Sequence, residues 1–228
     1  MGLTYDDLKE EFEREVRADK KATQLYTKIY NGKGTYKTAS ELSARIGDDF
    51  GKVLRRHSPD DLLVDWDIED LIPRALGLDH QMVVDACREV QKNLNKNAGL
   101  NLKYQEPKFN TDRAYGMVSE LKENPGFTNI EKTFYDQFTN FSMNVVDDSI
   151  RDNADFMAKS GIRSLIIRQA EYGACPWCEE VAGSYDYREV KGQGNDVWRR
   201  HENCRCTIDY ITERNNSFYT ERVNNQKK

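Results

Sequence analysis

Two short cysteine clusters near the end of the chain restrict its fold and its chemistry more than any other feature. The first is Cys175-Pro176-Trp177-Cys178, and the second is His201-Glu202-Asn203-Cys204-Arg205-Cys206. A Cys-x2-Cys turn presents two sulfurs to a single metal ion, and the second cluster repeats that offset with a histidine and a cysteine. Because structural zinc takes four such donors, the clusters predict a zinc site that ties together the polar segment carrying them.

The candidate ligands outnumber the four positions of a zinc ion. They are Cys175, Cys178, His201, Cys204 and Cys206. The first four form the most economical set. Residues two apart in a strand share a face, however, so Cys206 could replace Cys204 or His201. The sequence leaves open which four side chains bind the metal.

Redox chemistry and an inert core are the alternatives to a metal site. Cys-Pro-Trp-Cys at residues 175–178 superficially resembles thioredoxin-type motifs, in which a helix N-terminus lowers the pKa of the first thiol. Such motifs normally follow a strand in a βαβ unit, which the pattern here does not indicate, and the second cluster has no role in that chemistry. Cys87 stands apart, at an apolar position of a predicted helix, and is expected to be buried.

The sequence predicts no catalytic residues. Zinc deaminases carry His-x-Glu ahead of Pro-Cys-x-x-Cys, whereas here the histidine follows the cysteine pair and the proline lies inside it. A His-Glu-x-x-His sequence does not occur. A zinc ion saturated by cysteine and histidine has no open position for water, so we expect a structural metal and not an enzyme.

Composition narrows the classes of partner. The net charge of −5 over 228 residues argues against a protein that coats DNA through bulk positive charge. Arg199, Arg200 and Arg205 surround the second cluster and could either contact phosphate or balance the charge of metal-bound thiolates. No apolar run approaches the roughly 20 residues of a membrane span, and the N-terminus lacks signal-peptide features. We therefore expect a reducing cytoplasm, where five cysteines favour metal binding over disulfides.

Hydrophobic periodicity predicts a helical region over residues 1–160. Thr4 is expected to cap its start, Gly161 to end it, and Ala98–Asn110 to form a loop within it. Pro73 lies in the short apolar piece 68–76, where we expect a kinked helix or one that ends early. The helical ranges are Thr4–Tyr30, about Ser40–Arg56, Asp79–Asn97, one capped by Thr111 that ends near Pro125-Gly126, and Asn129 to about Ser160, with a break at Ser58-Pro59-Asp60.

The pattern changes from helical to β-forming after Gly161. Three short runs have strand length and composition, namely 164–168, 184–187 and 207–211, with Tyr185 and Tyr187 expected on one strand face. We predict a mainly α protein in which a helical N-terminal body is followed by a small C-terminal β-rich zinc-binding module over 161–212. The polar tail, 213–228, is expected to be mobile.

A longer series of residues frames the two clusters in the last third of the chain. It comprises Asn153-Ala154-Asp155-Phe156, Gly161-Ile162, Arg168, Cys175-Pro176-Trp177-Cys178, Ala182-Gly183-Ser184-Tyr185-Asp186-Tyr187 and Arg200-His201-Glu202-Asn203-Cys204-Arg205-Cys206-Thr207. In order and spacing, this series resembles the C-terminal region of the minor head proteins of tailed bacteriophages, also called head-morphogenesis proteins. The N-terminal part carries no motif that we can assign to that family.

The resemblance implies a structural component of the virion or procapsid, present in few copies and located in the capsid interior or near the portal. It implies portal or capsid proteins as partners, assembly in the host cytoplasm, and a role in head morphogenesis. Some members are implicated in DNA packaging or ejection, so phage DNA is a further expected contact, whereas a membrane or a small-molecule substrate is not. The competing predictions are a zinc-stabilised nucleic-acid-binding module or nuclease that uses Arg199, Arg200 and Arg205, and a dithiol redox protein.

Overall fold

The computed structural model describes residues 4–57, 67–123, 131–192, 194–201 and 204–215. Over these ranges the chain is mainly helical and ends in a small three-stranded sheet, which confirms the predicted fold class. The predicted breaks at 58–60 and 125–126, and residues 216–228 of the tail, lie outside the described residues. The long helices are α1 (Tyr5–Ala18), α2 (Lys20–Tyr30), α3 (Tyr36–His57), α4 (Ile68–Asn97), α5 (Thr111–Glu123) and α6 (Glu131–Lys159).

The predicted helix over 4–30 is divided in two at Asp19. Thr4 caps α1 as expected, because its hydroxyl accepts a hydrogen bond from the Asp7 N–H at 3.2 Å. Asp19 has an extended backbone, and its carboxylate accepts hydrogen bonds from the N–H groups of Lys21 and Ala22. Because the Asp19 side chain bonds to the backbone of the next helix, the first helix ends there instead of continuing. The prediction of a single helix was therefore wrong.

Helix α4 continues through Pro73, where we expected a helix that is kinked or ends early. Asp67 caps its start through the Asp70 N–H at 3.2 Å, so the helix is anchored ahead of the proline. Leu71, Ile72, Ala75 and Leu76 on either side of the proline are buried. Burial of these side chains offsets the hydrogen bond that the proline cannot donate.

The following loop and helix agree with the prediction except at one cap. Residues 98–110 contain no helix or strand. The side chain of Asn110 accepts a hydrogen bond from the Arg113 N–H at 3.0 Å, so Asn110 caps α5 and Thr111 is its first residue. At the end of α6, Gly161 adopts a φ of +77°, the left-handed conformation that terminates a helix at a glycine.

The long helices pack around one apolar core. Phe138 is fully buried in it, and its ring centroid lies 4.8 Å from that of Phe50 and 4.9 Å from that of Phe134. Helices α3 and α6 approach closely because glycines of α3 face α6, Gly47 against Thr139 and Gly51 beside the Tyr135 ring. None of the described helices combines the length and the apolarity that crossing a membrane would require.

The C-terminal sheet is antiparallel, with strand order β2-β1-β3. Its strands are β1 (Ser164–Gln169), β2 (Gly183–Asp186) and β3 (Thr207–Thr212), and short helices α7 (Pro176–Glu180) and α8 (Tyr187–Val190) lie between them. Tyr187 begins α8 because Asp186 accepts the Arg188 N–H at 3.0 Å and caps that helix. The expectation that Tyr185 and Tyr187 share a strand face is therefore wrong.

The sheet and the helices share the same core. Ile166 of β1 and Ile208 and Tyr210 of β3 are fully buried together with the side chains of the helices. The Ser40 hydroxyl donates a hydrogen bond to the Ile208 carbonyl at 3.4 Å, and the rings of Tyr36 and Tyr210 meet edge to face at 5.8 Å. The β-strands therefore have a fixed position on α3, and the two loops between the strands carry the cysteine clusters.

Candidate metal centre

The first cysteine pair lies on the turn that leaves β1. Cys175 is the N-cap of α7, Pro176 is its first residue, and the Glu179 N–H donates to the Cys175 carbonyl at 3.1 Å. Proline suits this position because its fixed φ is already helical. One helical turn places the sulfur of Cys178 beside that of Cys175. Cys178 is buried, whereas Cys175 is partly exposed.

The second cluster lies on the segment that enters β3. The Cys204 N–H donates to the His201 carbonyl at 3.2 Å. The Asn140 side chain of α6 donates to the same carbonyl at 3.0 Å and anchors His201 on the helical body. Cys204 and Cys206 are buried, whereas His201 is exposed.

The five predicted donors come together in two groups of three that share Cys178. The His201 Nε2 atom lies 3.3 Å from the Cys175 sulfur and 3.0 Å from the Cys178 sulfur, and the sulfurs of Cys178 and Cys204 are 3.9 Å apart. Ligands of one tetrahedral zinc ion are separated by about 3.5–3.8 Å, given metal–ligand distances of about 2.0–2.3 Å. The Cys178, Cys204 and Cys206 sulfurs also lie within 4.8 Å of one another. The cluster can therefore hold a metal ion.

A buried arginine that we did not predict as a site residue contacts the sulfurs from inside. The Arg168 guanidinium lies 3.6 Å from the Cys204 sulfur and 3.9 Å from the Cys178 sulfur. It also donates to the carbonyls of Val197 and Arg199 at 2.7 and 2.8 Å, which fixes the loop before the second cluster. The sequence did contain a signal for Arg168, because it is a charged residue in an otherwise apolar predicted strand and a buried charge requires partners.

A second guanidinium, that of Arg200, lies beside the thiols and is paired with Asp147 of α6. It forms a two-pronged ion pair with Asp147 at 2.6 and 2.8 Å and donates to the Cys206 carbonyl at 2.7 Å. Burial alone would lower the pKa of Arg200, but the Asp147 carboxylate raises it above its usual value, so the guanidinium stays charged. Arg200 also lies 3.9 Å from the Cys204 sulfur, where a positive charge favours thiolate.

The inner thiols share protons through hydrogen bonds, and this contact shifts their pKa values. The Cys204 thiol, hydrogen-bonded to Cys206, lowers the pKa of Cys206 to about 7, and the same contact together with burial raises the pKa of Cys204 to about 12. Burial raises the pKa of Cys178 as well. A divalent ion would replace these shared protons and remove the cost of burying thiolates.

The three arginines considered for phosphate contact have different surroundings. Arg200 is paired with Asp147 in the interior, its side chain only 2% exposed, and so forms no part of an open surface. Arg205 makes an ion pair with Asp48 of α3 at 2.8 Å. Arg199 has a side chain that is 72% exposed, 4.0 Å from Asp196. Of these three arginines, Arg200 is thus a buried residue beside the thiols whose charge is paired with that of Asp147.

The two tryptophans near the clusters also differ. Trp198 belongs to the apolar core and donates its indole N–H to the Val190 carbonyl at 2.6 Å. The Trp177 ring meets the His201 ring edge to face at 5.9 Å. Trp177 and His201 line, with Cys175 and Arg199, a cavity of about 330 Å³ at the exposed edge of the donor cluster.

The redox alternative lacks its usual structural context. A cysteine at a helix N-terminus after a strand does occur, at Cys175. In the described residues, however, β1 pairs antiparallel with both of its neighbours, so no βαβ unit surrounds the pair. Cys87 is buried as predicted, and burial raises the pKa of its thiol to about 12.

No family model, curated protein or solved structure matches this chain. The structure itself defines the class: a mainly α-helical protein with a small three-stranded antiparallel C-terminal sheet and a cysteine–histidine cluster that could hold a metal ion.

Proposed function

We propose that the chain is a minor head protein of a tailed bacteriophage, in which a zinc ion bound between the two cysteine clusters holds the C-terminal sheet and its loops in one rigid shape. The observation that carries the proposal is that the five donors of the motif that resembles that family lie in two overlapping groups, either of which could hold a metal ion. Arg168 and Arg200 belong to the same series of residues, and both guanidinium groups lie against the Cys204 sulfur.

The donor set suits zinc. Thiolates and imidazole are the ligands of structural zinc sites, which are tetrahedral and closed. Four protein ligands leave no coordination position for water, so we assign the ion a structural and not a catalytic role. Binding of such an ion can contribute on the order of 10 kcal/mol to folding. That free energy would hold two loops that contain little regular structure of their own.

The proposed role is scaffolding. The helices offer surfaces for portal or capsid subunits, and the zinc-bound loops offer a further rigid contact. The protein would act in few copies, in the capsid interior or near the portal, after assembly in the host cytoplasm. Phage DNA is a further contact of this position.

The test is whether the protein is built into particles and whether its zinc site is needed for that. Phage lacking the gene would be complemented with the wild-type chain, with Cys175→Ser/Cys178→Ser, or with Cys87→Ala as a control that removes a distant thiol. We expect mass spectrometry of purified procapsids and virions to find the wild type and the control in few copies per particle. The double variant should be expressed but absent from particles. Absence of the wild-type chain from particles would refute the proposal.

A further inference from the structure

The five donor atoms form two groups of three that overlap at a single side chain. The outer group is Cys175, Cys178 and His201, and the inner group is Cys178, Cys204 and Cys206. Within each group the donor atoms all lie within 4.8 Å of one another. Cys178 is the only member that the two groups share.

The two groups have different access to solvent. The outer group is at the surface, because His201 is exposed, Cys175 is partly exposed, and both line the cavity of about 330 Å³. The three cysteines of the inner group are each at most 2% exposed. A solute that approaches the metal therefore meets Cys175 and His201 first, whereas the inner group is reached only through the protein.

The overlap limits the possible four-ligand sets. A tetrahedral ion bound by one complete group needs one further donor from the other group. The outer group can be completed by Cys204 or Cys206, and the inner group by Cys175 or His201. Every one of these sets contains Cys178, and each of the other four donors is absent from at least one set.

Charge favours sets with three thiolates and one imidazole. Zinc with three thiolates and a neutral imidazole carries a charge of −1, from the formal charges of its ligands. The contacts that the structure describes for the Arg168 guanidinium are backbone carbonyls, the Cys178 and Cys204 sulfurs and the Trp177 ring, with no carboxylate among them. Its positive charge thus neutralises such a centre, whereas Arg200 is already neutralised by Asp147.

We propose that this site has a replaceable outer ligand. The metal is bound by the outer group and Cys204, and after loss of Cys175 it is bound by the inner group and His201, so that three thiolates and one imidazole are kept. Cys178 is the one ligand that cannot be replaced. The inference rests on the proposed zinc site and adds to it a means of retaining the metal when an alkylating electrophile forms a bond to the Cys175 sulfur, releases its own leaving group and so removes that thiolate as a ligand.

Cobalt(II) is the probe, because it takes tetrahedral thiolate sites and its sulfur-to-metal absorption grows with the number of thiolates bound. It would be titrated into the purified full chain, into the single variants Cys175→Ser, Cys206→Ser and Cys178→Ser, and into the double variant Cys175→Ser/Cys206→Ser. We expect one cobalt per chain with unchanged thiolate absorption in both single variants. The double variant should lose about a third of that absorption, and Cys178→Ser should bind no cobalt at concentrations that saturate the wild type.

The outcomes separate the two proposals. A wild-type chain that binds neither cobalt nor zinc would refute the proposed zinc function. A wild type that binds cobalt through three thiolates, while Cys175→Ser drops to two or binds none, would refute the replaceable ligand only. Full cobalt binding by Cys178→Ser would refute it as well. Far-UV circular dichroism confirms folding, and the two single variants decide the question even if Cys178→Ser does not fold.

Discussion

Asp79 is a carboxyl group completely buried among the long helices. The Ser142 hydroxyl of α6 donates to one of its oxygens at 2.7 Å, and the other oxygen has no hydrogen-bond partner in the described structure. Burial raises the pKa of Asp79 to about 7, although the Ser142 hydrogen bond opposes that shift. The protein therefore holds this group protonated in mildly acidic solution and must bury a charge in alkaline solution.

The pH dependence of stability should report this group. Because the folded-state pKa lies above the unfolded value of 3.8, the stability linked to Asp79 is fully present below that value and is lost as the pH rises through about 7. At about 1.4 kcal/mol per pKa unit, the free energy of unfolding of the wild type should fall relative to Asp79→Asn by about 3 kcal/mol between pH 5 and 8. Urea denaturation of both proteins measures the difference, in which effects of the cysteine cluster cancel. A pH-independent difference would contradict this account.

At the scale of elements, the correctly predicted helices have an uninterrupted apolar stripe. The wrong predictions lie where a capping residue or a proline and the hydrophobic pattern favour different structures. Asp19 caps a new helix at a point where periodicity alone predicts that the first helix continues. Burial of the residues around Pro73 stabilises α4 through the proline. At Gly47, the close packing of α3 against α6 leaves no room for a side chain. An added Cβ there would lie 2.6 Å from the Thr139 Cα and 2.9 Å from the Ser142 Oγ.

Replacing Gly47 with alanine should destabilise the protein although alanine is the better helix former. The clash with the α6 backbone forces the helices apart, at a cost of about 1–3 kcal/mol. Gly77→Ala in α4 is the matched control, because its Cβ would meet nothing within 4 Å. There, propensity alone acts and should stabilise by up to about 1 kcal/mol. Thermal or urea unfolding measures both, and equal effects would show that α3 and α6 do not approach as closely as described.

At the scale of the whole molecule, the sheet is anchored twice. Its strands are buried in the core that the helices share, and its two loops meet at the cysteine cluster. The second anchor is also tied to the helices, through Asn140 at the His201 carbonyl and Asp147 at Arg200. Loss of the proposed metal should consequently affect the loops far more than the strands or helices.

If zinc occupies the cluster as proposed, its removal should open the loops and leave the helical body folded. After chelation we expect faster amide hydrogen exchange over about residues 170–206, with α3 and α6 unchanged, because the core packing of the helices does not depend on the ion. Hydrogen exchange read by mass spectrometry tests this, and zinc added back in excess of the chelator serves as the control. A uniform rise in exchange that includes α3 and α6 would show that the metal supports the entire fold.

The sequence by itself determined the helical class, the β-forming end and the five donor residues, because these follow from hydrophobic periodicity and from short cysteine spacings. Its interpretation of Arg199, Arg200 and Arg205 as one basic group could not separate an exposed side chain from an interior ion pair with Asp147. That distinction, the approach of Arg168 to the sulfurs and the division of the donors into two overlapping groups depend on residues far apart in the chain. Only tertiary packing brings such residues together, so no local pattern encodes them.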